Sequence, residues 1–296
     1  MTVGTLAGAG TLGLLIPPSI IMIVYGVSAD VSISQLFIAG VLPGLLLAGL
    51  MMGYTAIWSL LNPGLIPPAE RRTTLAEKLR ASSSLIPVVL LILAVLGSIY
   101  GGIATATEAA AIGVVGSLAL SGLQGSLNWP TFRESLLGAT RLYCMIALIL
   151  AGAAFLTLSM GYIGLPRHLA EWIGALGLSN FWLIVALAAF FIVLGCFLDG
   201  ISMVVLTMGV LLPTVTKAGI DLVWFGIFVV FVVEMAQITP PVGFNLFVLQ
   251  GMTNRQLPWI ASAALPMFLV MVAGVLLIYA FPEIVTWLPR QMARAP

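Results

Sequence analysis

Eight long apolar runs fill most of this chain, at about 5–29, 33–61, 84–101, 103–123, 135–160, 181–213, 222–250 and 259–288. An apolar stretch of about 18 or more residues can cross a bilayer as a helix. Lipid offers no water to unpaired backbone groups, so helix is the expectation for each run. Composition agrees: 61% of the 296 residues are hydrophobic and 7% are charged, whereas soluble domains carry roughly 25% charged residues. The reading is an all-α integral membrane protein with about eight or nine segments of roughly 20 residues. A net charge of +1 without a basic block points away from nucleic acid.

Several chemistries drop out early. Cys144 and Cys196 lie in separate apolar runs and lack metal-ligand spacing. The lone His168 reads as a polar loop residue, which excludes Ser/His/Asp catalysis and a transition-metal site. No Gly-Lys-Ser/Thr loop is present, so the chain itself does not hydrolyse ATP. Met1 lacks a basic flank, so no cleavable signal peptide is expected.

One long polar connection interrupts the pattern, at 62–83. It holds Pro67-Pro68, then Glu70, Arg71, Arg72, Glu77, Lys78 and Arg80, with Leu75 and Leu79 one turn apart. That pattern predicts an amphipathic helix on the membrane surface. Four of the eleven Lys and Arg are there, so this connection should face the cytoplasm.

Two apolar runs are broken by proline pairs, Pro17-Pro18 and Pro240-Pro241. Each is followed by a further proline in the next run, Pro43 and Pro266, at the same spacing (43 − 18 = 25; 266 − 241 = 25). Matching interruptions in two halves mark the binding site of a repeat-built transporter. A proline pair removes two N–H donors and leaves helix carbonyls without partners. Such carbonyls suit a dehydrated Na⁺, while the half-helix beyond presents free N–H groups to a carboxylate.

The run at 181–213 has two apolar arms, Phe181–Leu194 and Ile201–Pro213, around a polar tip at Asp199, Gly200 and Ser202. Fourteen residues of helix reach about 21 Å, short of a hydrocarbon core of about 30 Å. A re-entrant hairpin fits that length. A single tilted span is the alternative, and the positions of Lys217, Arg255, Arg290 and Arg294 mildly favour it under the positive-inside rule.

Two acids lie at membrane depth. A charge there costs roughly 2.5–3.5 kcal/mol, so Asp199 and Glu234 need a cation, a hydrogen-bonded network or protonation. Asp199 reads equally as a helix cap receiving N–H groups near Ser202 and as part of an ion site. Glu234 reads as a network partner rather than a ligand. Glu108, after Thr105 and Thr107, reads as an N-terminal capping residue.

Four stretches together carry a resemblance: Gly10-Thr-Leu-Gly-Leu-Leu-Ile-Pro-Pro-Ser19, Thr107-Glu-Ala-Ala-Ala-Ile-Gly113, Phe197-Leu-Asp-Gly-Ile-Ser202 and Glu234-Met-Ala-Gln-Ile-Thr-Pro-Pro-Val-Gly243. In this order they resemble the large membrane subunit of TRAP (tripartite ATP-independent periplasmic) transporters. The resemblance implies inverted repeats, each with a re-entrant hairpin and a broken helix, moving as an elevator. It further implies Na⁺ as coupling ion with no other cofactor, a small membrane subunit and a periplasmic binding protein delivering a small carboxylate. The setting it implies is the bacterial inner membrane. On that view residues 1–61 hold the remainder of the first repeat and 62–83 the connecting helix. Residues 84–296 hold the second repeat, with its hairpin at about 181–213 and its broken helix at about 222–250.

The ion-binding candidates are Gly13, Ile16 and Pro18 at one break, and Ala236, Thr239 and Pro241 at the other with Gly200 and Ser202 of the tip. Ser19, Asp199, Glu234, Gly243 and Asn245 are the substrate-binding or supporting candidates. Gly200 precedes Pro241 by 41 residues, and the same spacing taken back from Pro18 falls before Met1. The expectation is that the first hairpin is missing, through truncation or because another chain supplies it, and that this chain as written does not transport. Two competing functions stay in view. One is the permease or scaffold of an ATP-driven importer, with 62–83 as its coupling loop. The other is an intramembrane enzyme using Asp199 and Glu234.

Overall fold

The computed structural model describes residues 1–65, 74, 77, 82, 85–241, 243–253 and 255–292, and those residues form fourteen α-helices and one short 3-10 turn. In chain order the helices are α1 (Thr2–Ala9), α2 (Leu12–Leu15), α3 (Ile20–Ala29), α4 (Ile33–Leu61), α5 (Ile86–Tyr100), α6 (Ala106–Leu123), α7 (Trp129–Ile163) and α8 (Leu165–Ala175). They continue with α9 (Asn180–Gly195), α10 (Gly200–Lys217), α11 (Leu222–Gln237), α12 (Phe244–Thr253), α13 (Leu257–Ala280) and α14 (Glu283–Met292). The amphipathic helix expected within 62–83, with Arg71, Arg72, Lys78 and Arg80, lies outside the described residues.

Contacts divide the chain into two packing units, Met1–Ala56 with Ile146–Pro296, and Ile57–Met145. In the larger unit α11 is the central element. Every residue from Trp224 to Ala236 is buried, as a helix that is apolar all round must be in a packed assembly. It is surrounded by α9, α10, α13, α2 and α3. Between helices in lipid the hydrophobic effect gives little, so close backbone approach through small residues does the packing. Gly226 shows this: a Cβ there would lie 2.5 Å from a ring carbon of Tyr25. Tyr25 crosses that gap and donates its hydroxyl to the Leu222 carbonyl at 2.7 Å. Gly4 and Gly8 stand one turn apart on α1 and let it lie on α13, where a Cβ at Gly4 would fall 2.0 Å from the Ala263 carbonyl oxygen.

In the smaller unit α5 and α6 pair through Gly113 and Gly116, against Val95 and Leu91. Their outward residues, Val88, Leu90, Val114 and Val115 among them, are exposed apolar side chains. The start of α6 carries a capping box: the Glu108 N–H donates to Thr105 Oγ1 at 3.3 Å, and Glu108 Oε2 accepts from the Thr105 N–H at 2.8 Å. The capping reading of Glu108 holds.

Among the described residues five helices are long and apolar enough to cross a membrane, six if the bent pair Thr2–Leu15 and Ile20–Ala29 counts as one span. Three apolar helices, α5, α9 and α11, are shorter, at 15 or 16 residues. With the three shorter helices, the five or six long ones match the eight or nine apolar segments expected. The proline pairs and the Asp199 tip divide the longest apolar runs into shorter pieces. His168 sits on α8 and not in the expected loop.

Candidate functional site

Helix α9 ends at Gly195 and α10 begins at Gly200, so residues 196–199 form a tight turn that ends on Asp199. Asn180 and Leu183, at the start of α9, line one cavity together with Thr214 and Lys217, at the end of α10. The two arms therefore return to the same end, as in a hairpin. Asp199 caps α10: its carboxylate accepts from the Ile201 N–H at 3.0 Å and the Ser202 N–H at 3.2 Å. The Ser202 hydroxyl donates to the other carboxylate oxygen at 2.5 Å. A carboxylate at this cap satisfies amides that a helix start leaves without partners.

The tip rests on the end of α11 and on the proline pair beyond it. Cys196 Sγ lies 3.2 Å from the Pro240 carbonyl oxygen. The absence of a side chain at Gly195 admits Ala236, whose Cβ would be 2.3 Å from an added Cβ. Gly200 likewise sits against Val233 of α11 and Ile21 of α3. Glycine at both positions is what lets the tip approach so closely.

At the second break the carbonyls are largely re-satisfied. Met235 O accepts from the Ile238 N–H at 3.2 Å and from the Thr239 hydroxyl at 2.7 Å. Ala236 O accepts from the Thr239 N–H, and Thr239 O from the Gly243 N–H, both at 3.1 Å. This corrects the expectation of carbonyls left bare, because the chain tightens into successive turns. The Thr239 carbonyl and hydroxyl each retain a lone pair for a cation, whereas the Met235 and Ala236 carbonyls already accept two donors each. At the first break α2 ends at Leu15 and α3 begins at Ile20, with an axis change of 44°. Gly13 is exposed, and its helical partner would be Pro17, which has no N–H. Among the described residues nothing donates to the Gly13 carbonyl. Ser19 caps α3, accepting from the Met22 N–H at 3.4 Å and donating its hydroxyl to the Leu14 carbonyl. Pro18 and Ile16 are exposed beside it. Both proline pairs, Pro17-Pro18 and Pro240-Pro241, contain a cis peptide bond.

Glu234 connects the two breaks. It is fully buried, and its carboxyl faces the Leu15 N–H and the Thr11 hydroxyl of the first break segment, although neither oxygen completes a hydrogen bond of normal geometry. Thr11 is fully buried as well and donates to Gly8 O at 2.8 Å. Asn245, at the start of α12, reaches the Ala7 carbonyl of α1 at 3.5 Å. Sequence reasoning missed Thr11, Cys196 and Gln237, whose amide lies near Gly200. Cys196 had a signal, since it stands at the start of that turn. Thr11 had none, being 223 residues from Glu234. Pro241 is exposed, Gly243 is buried, and the Val242 between them lies outside the described residues.

The exposed face of this junction presents oxygens: the Asp199 carboxylate, the Ser202 and Thr239 hydroxyls and backbone carbonyls. Hard oxygen donors of that kind suit a small hard cation. A separate cavity of about 850 Å³ lies along the middle of α10, between Val27 and Ser28 of α3 and Thr157 of α7, and its walls carry no charged side chain.

Helices apolar enough to cross a bilayer, with two breaks and a hairpin tip gathered on one buried helix, define a polytopic membrane transport protein. Residues 1–284 match the family described as tripartite ATP-independent periplasmic transporter, DctM component, and the chain belongs to that family. It is similar to the C4-dicarboxylate TRAP transporter large permease protein DctM of Pseudomonas aeruginosa. That match is 32% identical over 288 residues, covering 97% of this chain and 67% of the relative. The isethionate TRAP transporter permease protein DctMQ of Oleidesulfovibrio alaskensis is 32% identical over 282 residues, covering 94% of this chain and 44% of that one. The ectoine/5-hydroxyectoine TRAP transporter large permease protein UehC of Ruegeria pomeroyi is also 32% identical, over 96% of this chain and 66% of its own length. The chain is accordingly a multi-pass membrane permease and not an enzyme. An ATP-driven importer finds no support in this kinship, since the family is ATP-independent by description.

Proposed function

We propose that this chain is the permease subunit of a Na⁺-coupled importer of small organic carboxylates in the bacterial inner membrane. It works with a small membrane subunit and a periplasmic binding protein. The observation that carries this reading is the seating of the Asp199–Ser202 tip on the end of α11, beside the second proline pair. There Na⁺, written as a co-transported substrate, meets the Thr239 carbonyl and hydroxyl and the tip at Gly200 and Ser202. A matching site at Gly13, Ile16 and Pro18 belongs to the first break. Ser19 and Asn245 stand at half-helix starts, where free N–H groups favour a carboxylate. Asp199 and Glu234 hold the frame, and Gly243 gives the chain its close turn.

The relatives' names cover C4-dicarboxylates, isethionate and ectoine, all small acids or zwitterions, which is why the substrate class is stated at that breadth. Inverted repeats and elevator motion of one repeat against a scaffold are part of the same proposal. Two Na⁺ down a tenfold gradient supply about 2.8 kcal/mol, enough for roughly 100-fold accumulation.

The test is uptake of labelled succinate, isethionate and ectoine into proteoliposomes holding the permease with a complete first repeat, its small subunit and its binding protein. Uptake of one of them driven by an inward Na⁺ gradient, without ATP, is expected. Uptake that needs ATP, or that is unchanged when choline replaces Na⁺, would contradict the proposal.

A further inference from the structure

The base of the α9–α10 hairpin holds a second polar site, remote in sequence from the tip and unused by the transport reading. A cavity of about 190 Å³ opens there between α8, the start of α9 and the end of α10. Three features converge on it. Thr214 is only 4% exposed and its hydroxyl has no hydrogen-bond partner, yet it lines the cavity. A buried hydroxyl without a partner costs about 1–3 kcal/mol, so a ligand that fills it is favoured. Lys217 lines the same cavity, its ammonium 3.6 Å from where a Cβ on Gly174 would stand, and it makes no ion pair among the described residues. The 16-residue helix α9 starts at Asn180, also in the lining, and its Ser179 makes no side-chain cap. Its first amides thus stay available, with the positive end of the helix dipole behind them.

Lys217 also borders a neighbouring cavity of about 350 Å³, which holds Arg167 and Glu171. That carboxylate is occupied: Arg167 Nε meets Glu171 Oε1 at 2.9 Å, and Lys217 acts on it only at longer range. An ammonium, a bare hydroxyl and an uncapped helix start around a small cavity select an anion with several acceptor oxygens. The level of the site names the source. Helix α8 is amphipathic, and Trp172 on α8 and Trp182 on α9 are 61% and 58% exposed. Exposed tryptophans beside an amphipathic helix mark the membrane–water boundary.

We propose that the cavity between α8 and the α9–α10 base binds the phosphate of an anionic phospholipid, with Lys217, the Thr214 hydroxyl and the α9 amides as its ligands. Such a lipid would pin the surface helix α8 to the hairpin base, the end of the hairpin opposite its tip. The site rests on the chain's place in the membrane and not on sodium coupling, so the two can fail separately.

The full chain, purified in neutral detergent, is titrated with dioctanoyl phosphatidylglycerol, dioctanoyl phosphatidylcholine and inorganic phosphate, and bound ligand is counted by native mass spectrometry. One saturable phosphatidylglycerol is expected, with inorganic phosphate and phosphatidylcholine binding more weakly. Lys217→Gln, a change at an exposed residue, should weaken it about tenfold or more, the size of one charge-assisted hydrogen bond. Thr214→Val should weaken it several-fold, and Thr214→Ser should restore binding. Unchanged affinity in Lys217→Gln would overturn the site. Inorganic phosphate binding as tightly as phosphatidylglycerol would overturn the lipid source, and equal binding of phosphatidylcholine would overturn anion selection.

Discussion

Asp199 gives its charge to two amides and a hydroxyl of its own helix, whereas Glu234, with no exposure, faces groups from the other end of the chain. The first arrangement was legible in the sequence because a cap is local, spanning residues i to i+3. The second was not, since nothing in the order of residues joins Glu234 to Thr11 and Leu15. Their roles predict different responses. Asp199→Ala should lower stability by about 1 kcal/mol and Asp199→Asn by less, because asparagine caps nearly as well. Thermal unfolding in detergent reads this, and equal losses would remove the cap argument. Glu234→Ala should cost about 2–5 kcal/mol through the void left between α2 and α11, while Glu234→Gln, which keeps the shape, should stay close to the parent. Thr239→Val keeps volume and removes the hydroxyl that Met235 O and, on the present account, Na⁺ share. It should raise the Na⁺ concentration needed for half-maximal uptake without lowering protein abundance. Unchanged sodium dependence would show that the side chain is no ligand.

The hairpin is the element on which composition and charge disagreed. Arm length pointed to a return, while the basic residues favoured a span. The arms do return, since the start of α9 and the end of α10 share a cavity. Arm length rests on backbone rise, a fixed quantity, while Lys217, one of the basic residues counted, sits in a cavity wall. Helix α8 was missed although Leu165, Leu169 and Ile173 repeat every four residues; the short segment with Pro166 and His168 read as a loop. A topology test follows. Asn180→Cys and Lys217→Cys, in a background lacking Cys144 and Cys196, should both react with a membrane-impermeant thiol reagent from one and the same side. Labelling from opposite sides would restore the single span. The α1–α13 contact makes a further element-level claim: Gly4→Val, placing a side chain against the Ala263 carbonyl, should cost about 1–3 kcal/mol as overpacking does. A melting temperature equal to the parent's would show that this contact is looser than the structure has it.

For the whole molecule, membrane residence was legible from composition alone, because 7% charged residues cannot cover a soluble surface. The division into few long spans and several short helices was not, because periodicity cannot tell a buried 16-residue helix such as α11 from part of a span. What the molecule brings together on α11 is the tip, both proline breaks and Glu234, a fully buried acid. The central claim is that sodium bound at this junction drives solute inward, and the zero-flux condition tests it most directly. In proteoliposomes with the small subunit and binding protein, the solute gradient at which net movement stops is measured while the Na⁺ gradient is varied at fixed voltage. Each tenfold steepening of the Na⁺ gradient is expected to raise the balancing solute gradient by about tenfold for every coupled ion. A balance point that ignores Na⁺ and follows ATP or the proton gradient would contradict that claim.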